Sequence, residues 1–265
     1  MLELKDLQKT FAKGTVNEHI ALDGIDFTLN DEDFVTILGS NGAGKSTLFN
    51  AITGAFWPDK GAVVLDGENI TYLPEFKRAQ KIGILFQDPM KGTAPDMTIA
   101  ENLALAYTRG HRFPMARALQ KRDTEYLRER LSGFGMGLED RMKMKVGLLS
   151  GGQRQAMTLL MATVANPKLL LLDEHTAALD PATAQKVLAI TVQIVKEQHL
   201  PTMMITHNMQ SALALGNRTM MMECGKIILD IAGEERRNMQ VEDLLKRYSG
   251  RQGKKLDNDR MLLSE

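Results

Sequence analysis

The chain has 265 residues, and its 33 Lys and Arg balance its 33 Asp and Glu to a formal net charge of zero. That length suits one large domain, or a domain with a subdomain, and excludes a fold too small to bury a substantial core. Neutrality removes the global basic field of a non-specific nucleic-acid binder, so no nucleic-acid partner is expected.

Cys224 is the single cysteine, which rules out an internal disulfide and suits a reducing compartment. The opening Met1-Leu2-Glu3-Leu4-Lys5-Asp6-Leu7 has neither the basic nor the apolar region of a secretory leader. No run reaches the ~18 apolar residues of a membrane span, so any service to a membrane is expected to pass through a partner. The seventeen methionines fall mostly in apolar patterns, such as Met203-Met204 and Met220-Met221-Met222. They are expected in the core rather than on an adaptable binding surface.

In chain order, residues 2–7 and 20–29 read as strands, followed by a buried strand over residues 34–38. A glycine-rich turn at 39–44 leads into a helix that starts near Ser46. Residues 62–65 and 82–86 read as further strands, with a turn at Asp66-Gly67. From about 87 to 161 the pattern is helical and rich in Ala, Leu, Met and Arg. Strands return at 169–172, at 202–206, and at 219–222 and 226–231 around Cys224-Gly225, while 187–198 alternates at helical spacing. This order predicts an α/β fold with a mainly parallel sheet, helices on both faces and a helical insert. Residues 241–248 are expected to form a short amphipathic helix against the core. The charged stretch 251–265 and its basic cluster at 250–255 are expected to be mobile and solvated.

The turn itself carries chemistry. Gly39-Ser40-Asn41-Gly42-Ala43-Gly44-Lys45-Ser46-Thr47 fits the P-loop pattern G-x-x-x-x-G-K-[ST] between a strand and a helix. Such a turn aims backbone N–H groups and the positive end of a helix dipole at one spot, and glycines let the backbone wrap it. Lys45 is expected to reach the β- and γ-phosphates and Ser46 to ligate Mg²⁺. A nucleoside triphosphate is the expected ligand.

A P-loop alone admits kinases, GTPases, helicases and transport ATPases, and further residues narrow the choice. The apolar strand Leu169-Leu170-Leu171-Leu172 ends in Asp173-Glu174. A carboxylate at the strand end can hold Mg²⁺ through water, and its neighbour can orient or deprotonate an attacking water. Leu149-Ser150-Gly151-Gly152-Gln153, opening a helix-like run, offers a hydroxyl and N–H groups that suit an anion. Here the chain resembles the ABC ATPase family, whose signature is this LSGGQ run between a P-loop and an Asp-Glu strand.

The resemblance covers roughly residues 1–235. It implies a P-loop NTPase core, an N-terminal antiparallel β subdomain and a helical subdomain at about 88–160, leaving 236–265 as a short helical and charged tail. It also implies roles for single residues. Gln87 matches the Q-loop glutamine, a Mg²⁺ and water contact that joins core to helical subdomain. Ala178-Leu179-Asp180 matches the D-loop, and His207 the switch histidine on the γ-phosphate. Phe11 stands where the family stacks an aromatic on adenine, the alternative being a core phenylalanine. Catalysis would then fall to Glu174, His207 and Gln87, and Mg²⁺ to Ser46, Gln87 and Asp173. Ser150, Gly151, Gly152 and Gln153 would close over nucleotide held by the P-loop of a partner subunit. His175 departs from the family's usual proline and reads as a subgroup marker rather than a ligand. His19, His111 and His199 are expected on the surface.

The implied protein is a Mg-ATP-dependent ATPase that forms a head-to-tail dimer around two nucleotides, with a second copy or a paralogous ATPase subunit. It would sit at the cytoplasmic face of the cell membrane, with the segment 88–97 facing an integral-membrane permease that a solute-binding protein serves. The segments 87–95 and 174–180 look similar to import subunits for amino acids, aromatic ones among them. Two alternatives stay open: an exporter subunit, and a soluble ABC ATPase such as an iron–sulfur assembly factor. A two-domain translation factor and a DNA-repair relative with long coiled coils fit poorly, because one such domain is present and no heptads are sustained.

Overall fold

The computed structural model describes residues 1–109 and 120–252. His111 and the tail beyond residue 252 lie outside the described residues. The chain forms two compact units, one of Met1–Tyr72 with the chain from Pro201 onward, the other Leu73–Leu200.

The first unit opens with β1 (Leu2–Phe11) and β2 (His19–Leu29), paired antiparallel from Leu2↔Leu29 to Phe11↔His19. On β1, Leu2 and Leu4 point inward at 1% and 2% exposure while Lys5 faces solvent, the alternation of a sheet covered on one face. β3 (Phe34–Leu38) follows, buried at every position, and runs into α1 (Lys45–Thr53). β4 (Lys60–Leu65) returns antiparallel beside β1, and a turn at Asp66-Gly67 leads to the short β5 (Glu68–Asn69). The resulting antiparallel sheet has the order β2-β1-β4-β5.

The second unit contains α2 (Glu75–Arg78), β6 (Ile82–Leu85), α3 (Ile99–Tyr107), α4 (Lys121–Ser132), α5 (Gly151–Thr163), β7 (Leu169–Asp173) and α6 (Pro181–Gln198). β6 and β7 pair in parallel from Ile82↔Leu169 to Leu85↔Leu172. The unit is wider than the helical stretch 88–160, because α5 packs tightly on β6. A Cβ added at Gly83 would meet the Ala162 carbonyl oxygen at 2.4 Å.

The chain re-enters the first unit with β8 (Thr202–Ile205) and α7 (Met209–Ala214), then β9 (Arg218–Glu223) and β10 (Lys226–Ala232). β3 is parallel to both β8 and β9, and β10 turns back antiparallel on β9, giving a mixed sheet. Met203, Met204, Met220, Met221 and Met222 are all 2% exposed or less, as their apolar patterning predicts. After α8 (Gly233–Arg237), α9 spans Val241–Gln252, longer than the short helix expected. Leu244 of α9 is fully buried in a cluster with Met209, Leu229, Ile231 and Met239. Arg236 anchors the approach to α9, donating to Thr219 Oγ1 at 2.9 Å and to the Ala212 carbonyl at 2.8 Å.

Candidate nucleotide site

In the first unit, β3 ends at Leu38, and residues 39–44 turn the chain into α1. Gly44 caps α1 in a left-handed conformation (φ 100°), no side chain bonds the cap, and the first turn carries no acidic residue. The first N–H groups of a helix lack intrahelical partners, and they sit at the positive end of its dipole. Ser40, Asn41, Gly42 and Ser46 are exposed around the turn, while Gly39, Ala43 and Lys45 are buried. Lys45 Nζ donates to the Gly39 and Ser40 carbonyls at 2.6 and 3.0 Å, which draws the ammonium across the loop. The tip of the β9–β10 hairpin braces the same loop, with Gly225 N–H donating to the Ala43 carbonyl at 3.0 Å.

Gly44 allows no side chain. A Cβ there would lie 2.5 Å from the Ala21 carbonyl oxygen, on a backbone that L residues rarely adopt. Gly44→Ala is therefore expected to destabilise the fold by roughly 2 kcal/mol or more and to weaken nucleotide binding. Thermal unfolding alongside nucleotide titration checks this, and a variant matching the parent in both would remove the constraint.

His207 lies just past the end of β8, half-buried. The Thr206 N–H donates to the Ile37 carbonyl at 3.1 Å, extending the β3–β8 pairing to this point. His207 and the P-loop thus occupy the carboxyl ends of neighbouring parallel strands, where open α/β sheets bind ligands. Phe11, at the end of β1, is not a core side chain: it is 39% exposed. Its ring meets Phe56 edge-on at 5.3 Å, with Lys9 Nζ 5.5 Å from its centroid. His19 and His199 are exposed, as expected.

In the second unit, Asp173 closes β7 and Glu174 follows with φ 45°, both half-buried. Gln87 is exposed just beyond β6. The register Leu85↔Leu172 brings Gln87 and the Asp173-Glu174 pair to the same edge of paired strands. Beyond Glu174 the chain turns, with the Ala177 N–H on the Glu174 carbonyl at 3.0 Å, and Asp180 caps α6. Hydrogen bonds from Thr183 hold the Asp180 carboxyl below its usual pKa.

His175 is a residue whose placement the sequence did not reveal. It is 3% exposed, Nε2 lies 3.3 Å from Thr191 Oγ1, and burial lowers its pKa to about 4. The one available signal was a histidine where the family usually has proline.

The LSGGQ run opens α5. Ser150 is its N-cap and forms a reciprocal capping box with Gln153, both bonds at 3.3 Å. The Gln153 side chain also donates to the Met136 carbonyl. Ser150 and Gly151 are exposed and Gly152 is buried. Gly152 sits tight on the start of α6, where an added Cβ would meet Thr183 Cγ2 at 2.1 Å. The segment after Gln87 is a shaped loop, because buried Asn102 accepts from the Ala94 N–H at 2.8 Å and donates to its carbonyl at 3.0 Å. Phe86, Pro89, Gly92, Arg109, Thr158 and Met161 line a groove beside it.

Among the described residues, no group of three or more His, Cys, Asp or Glu is placed to hold a metal. Mg²⁺ needs no such cage, since it keeps several waters and takes one or two protein ligands together with phosphate. The oxygen donors expected for it, a serine hydroxyl, a glutamine amide and an aspartate that can act through water, are of the kind Mg²⁺ takes. No helix among the described residues is long and apolar enough to cross a membrane.

A strand-to-helix phosphate loop on an α/β sheet, with an Asp-Glu strand end, defines a P-loop NTPase. The chain belongs to the ABC transporter family, which it matches over residues 22–177, and it is an ATP-binding-cassette ATPase. It is 42% identical over 248 residues to the tyrosine transport ATP-binding protein of Clostridioides difficile, covering 94% of this chain and 98% of that one. The methionine import ATP-binding protein MetN of Corynebacterium efficiens is 33% identical over 86% of this chain and 61% of its own length. Among solved structures, the dimeric post-hydrolysis ATP-binding cassette MJ0796 bound to ADP and Pi superposes with a TM-score of 0.76. It is 28% identical, over 88% of this chain and 98% of that chain. A nucleotide-free cassette from an ABC transporter gives the same TM-score at 26% identity, over 94% of this chain and 98% of its own.

Proposed function

We propose that the chain is the ATP-hydrolysing subunit of an amino-acid importer, driving a separate permease from the cytoplasmic face of the membrane. The observation that carries this reading is the near full-length match, in both chains, to a tyrosine transport ATP-binding protein. An uncapped α1 with Lys45 inside the loop, and a Glu next to the Asp that ends β7, support competence for hydrolysis.

In this reading Gly39 to Thr47 cradle the phosphates of ATP and Phe11 stacks on adenine. Ser46, Gln87 and Asp173 hold Mg²⁺, which neutralises charge on the phosphates. Glu174 accepts a proton from the attacking water, and His207 contacts the γ-phosphate. Ser150, Gly151, Gly152 and Gln153 of a second copy, or of a paralogous ATPase subunit, complete the site. Binding then favours the closed dimer, and hydrolysis removes the phosphate contact that holds it. The dimeric state of a related cassette supports this arrangement. The loop after Gln87, shaped by Asn102, passes the motion to the permease, and a solute-binding protein delivers cargo on the far side.

Affinity purification of tagged Glu174→Gln protein from its own membranes with Mg-ATP is expected to recover a polytopic membrane protein. Uptake of labelled tyrosine should fall to background in cells carrying only that variant. Recovery of soluble partners alone, with none of the protein in the membrane fraction, would overturn the transport reading. Unaltered tyrosine uptake would rule out tyrosine as the amino acid carried.

A further inference from the structure

We infer that His175 is a positioning residue for Glu174, acting through a hydrogen bond to α6. The inference rests on Glu174 being the base, as proposed above. His175 follows Glu174 directly, and its buried Nε2 lies 3.3 Å from Thr191 Oγ1. Thr191 is fully buried, and its hydroxyl donates to the Val187 carbonyl one turn back in α6, at 2.9 Å. A hydroxyl has one proton to give. With that proton directed at Val187, the oxygen can only accept from the imidazole. The ring is therefore protonated on Nε2, and the relay runs from His175 to Thr191 to the helix backbone.

The relay has something to hold. Glu174 sits at φ 45°, a left-handed conformation that residues with a Cβ seldom adopt. Such a conformation persists only where its surroundings fix it. β7 fixes the chain before Glu174, ending at Asp173. After it, the Ala177 N–H on the Glu174 carbonyl closes a turn, and the His175 ring bond ties that turn to α6. A proline at 175 would offer no side-chain donor. Cutting the bond frees the Glu174 backbone to relax toward a right-handed conformation, which moves its carboxylate. Residues 39–47, which bind the phosphates, lie on the other unit and keep their contacts.

The test is steady-state ATP hydrolysis by the full chain carrying Thr191→Val, His175→Gln or His175→Asn. Thr191→Val keeps the volume and removes the acceptor. It should lower kcat about tenfold while KM for ATP stays within about twofold of the parent. The Gln amide nitrogen reaches the place of Nε2 and should preserve most of kcat, whereas that of Asn falls short and should not. ¹⁵N-histidine spectra should report the Nε2–H tautomer for His175. Parental kcat in Thr191→Val, or equal kcat in the Gln and Asn variants, would overturn the inference. Glu174→Gln measured alongside separates the two claims. Parental turnover in that variant sinks the base assignment, while an inactive Glu174→Gln beside a normal Thr191→Val sinks only the role of His175.

Discussion

Glu174→Gln is expected to bind Mg-ATP as the parent does and to lose turnover by roughly 10²–10⁴-fold, the range for removing a general base. The amide keeps the shape and hydrogen-bonding reach of the carboxylate but cannot take a proton. Asp173 stays in place at the end of β7, and the phosphate loop belongs to the other unit, so ground-state binding has no reason to fall. With hydrolysis blocked, the phosphate contact that the proposed dimer shares would persist, and that dimer should not part. Size-exclusion chromatography with Mg-ATP should show a stable dimer for the variant and a transient one for the parent. Full ATPase activity in Glu174→Gln would remove the assigned role.

Lys45→Ala is expected to fail earlier, at binding. Lys45 is 6% exposed and its ammonium bridges the Gly39 and Ser40 carbonyls, so it shapes the loop and, in the proposed site, would supply the cation that faces the phosphates. A charge-assisted hydrogen bond contributes about 1.5–3 kcal/mol. Losing the cation should therefore weaken ATP affinity by roughly 10–100-fold, with no dimer formed at ATP levels that saturate the parent. Equilibrium titration with a fluorescent ATP analogue measures this directly. Unchanged affinity would count against the phosphate cradle.

Much of this was legible in the residues, and the reasons differ by element. The strand over 34–38 and the turn after it are local, since an apolar run, a glycine-rich loop and a Lys-Ser pair fix their own geometry. The same holds for Leu169 to Glu174, where four leucines fill a buried strand and the acids fall at its end. What sequence could not supply were contacts between distant segments. Nothing in the string pairs His175 with Thr191 or sets Gly152 against Thr183, and both contacts depend on how α6 packs. The capping box of Ser150 and Gln153 is a readable S-x-x-Q spacing, yet the family signature drew attention to phosphate first. The wider second unit followed from α5 pressing on Gly83, a contact no periodicity announces. α9 runs past the expected residues 241–248 because the polar, glycine-containing stretch that ends it carries no apolar periodicity.

The brace on the phosphate loop has a practical side. Gly225, which donates to the Ala43 carbonyl, also accepts from the Asp23 N–H at 2.9 Å, so the hairpin tip links β2 to the loop. Its neighbour Cys224 is exposed and is the single thiol of the chain. A thiol-reactive dye therefore labels one position, one residue away from the brace, with no engineered cysteine. Nature has left a spectroscopic handle beside the nucleotide site.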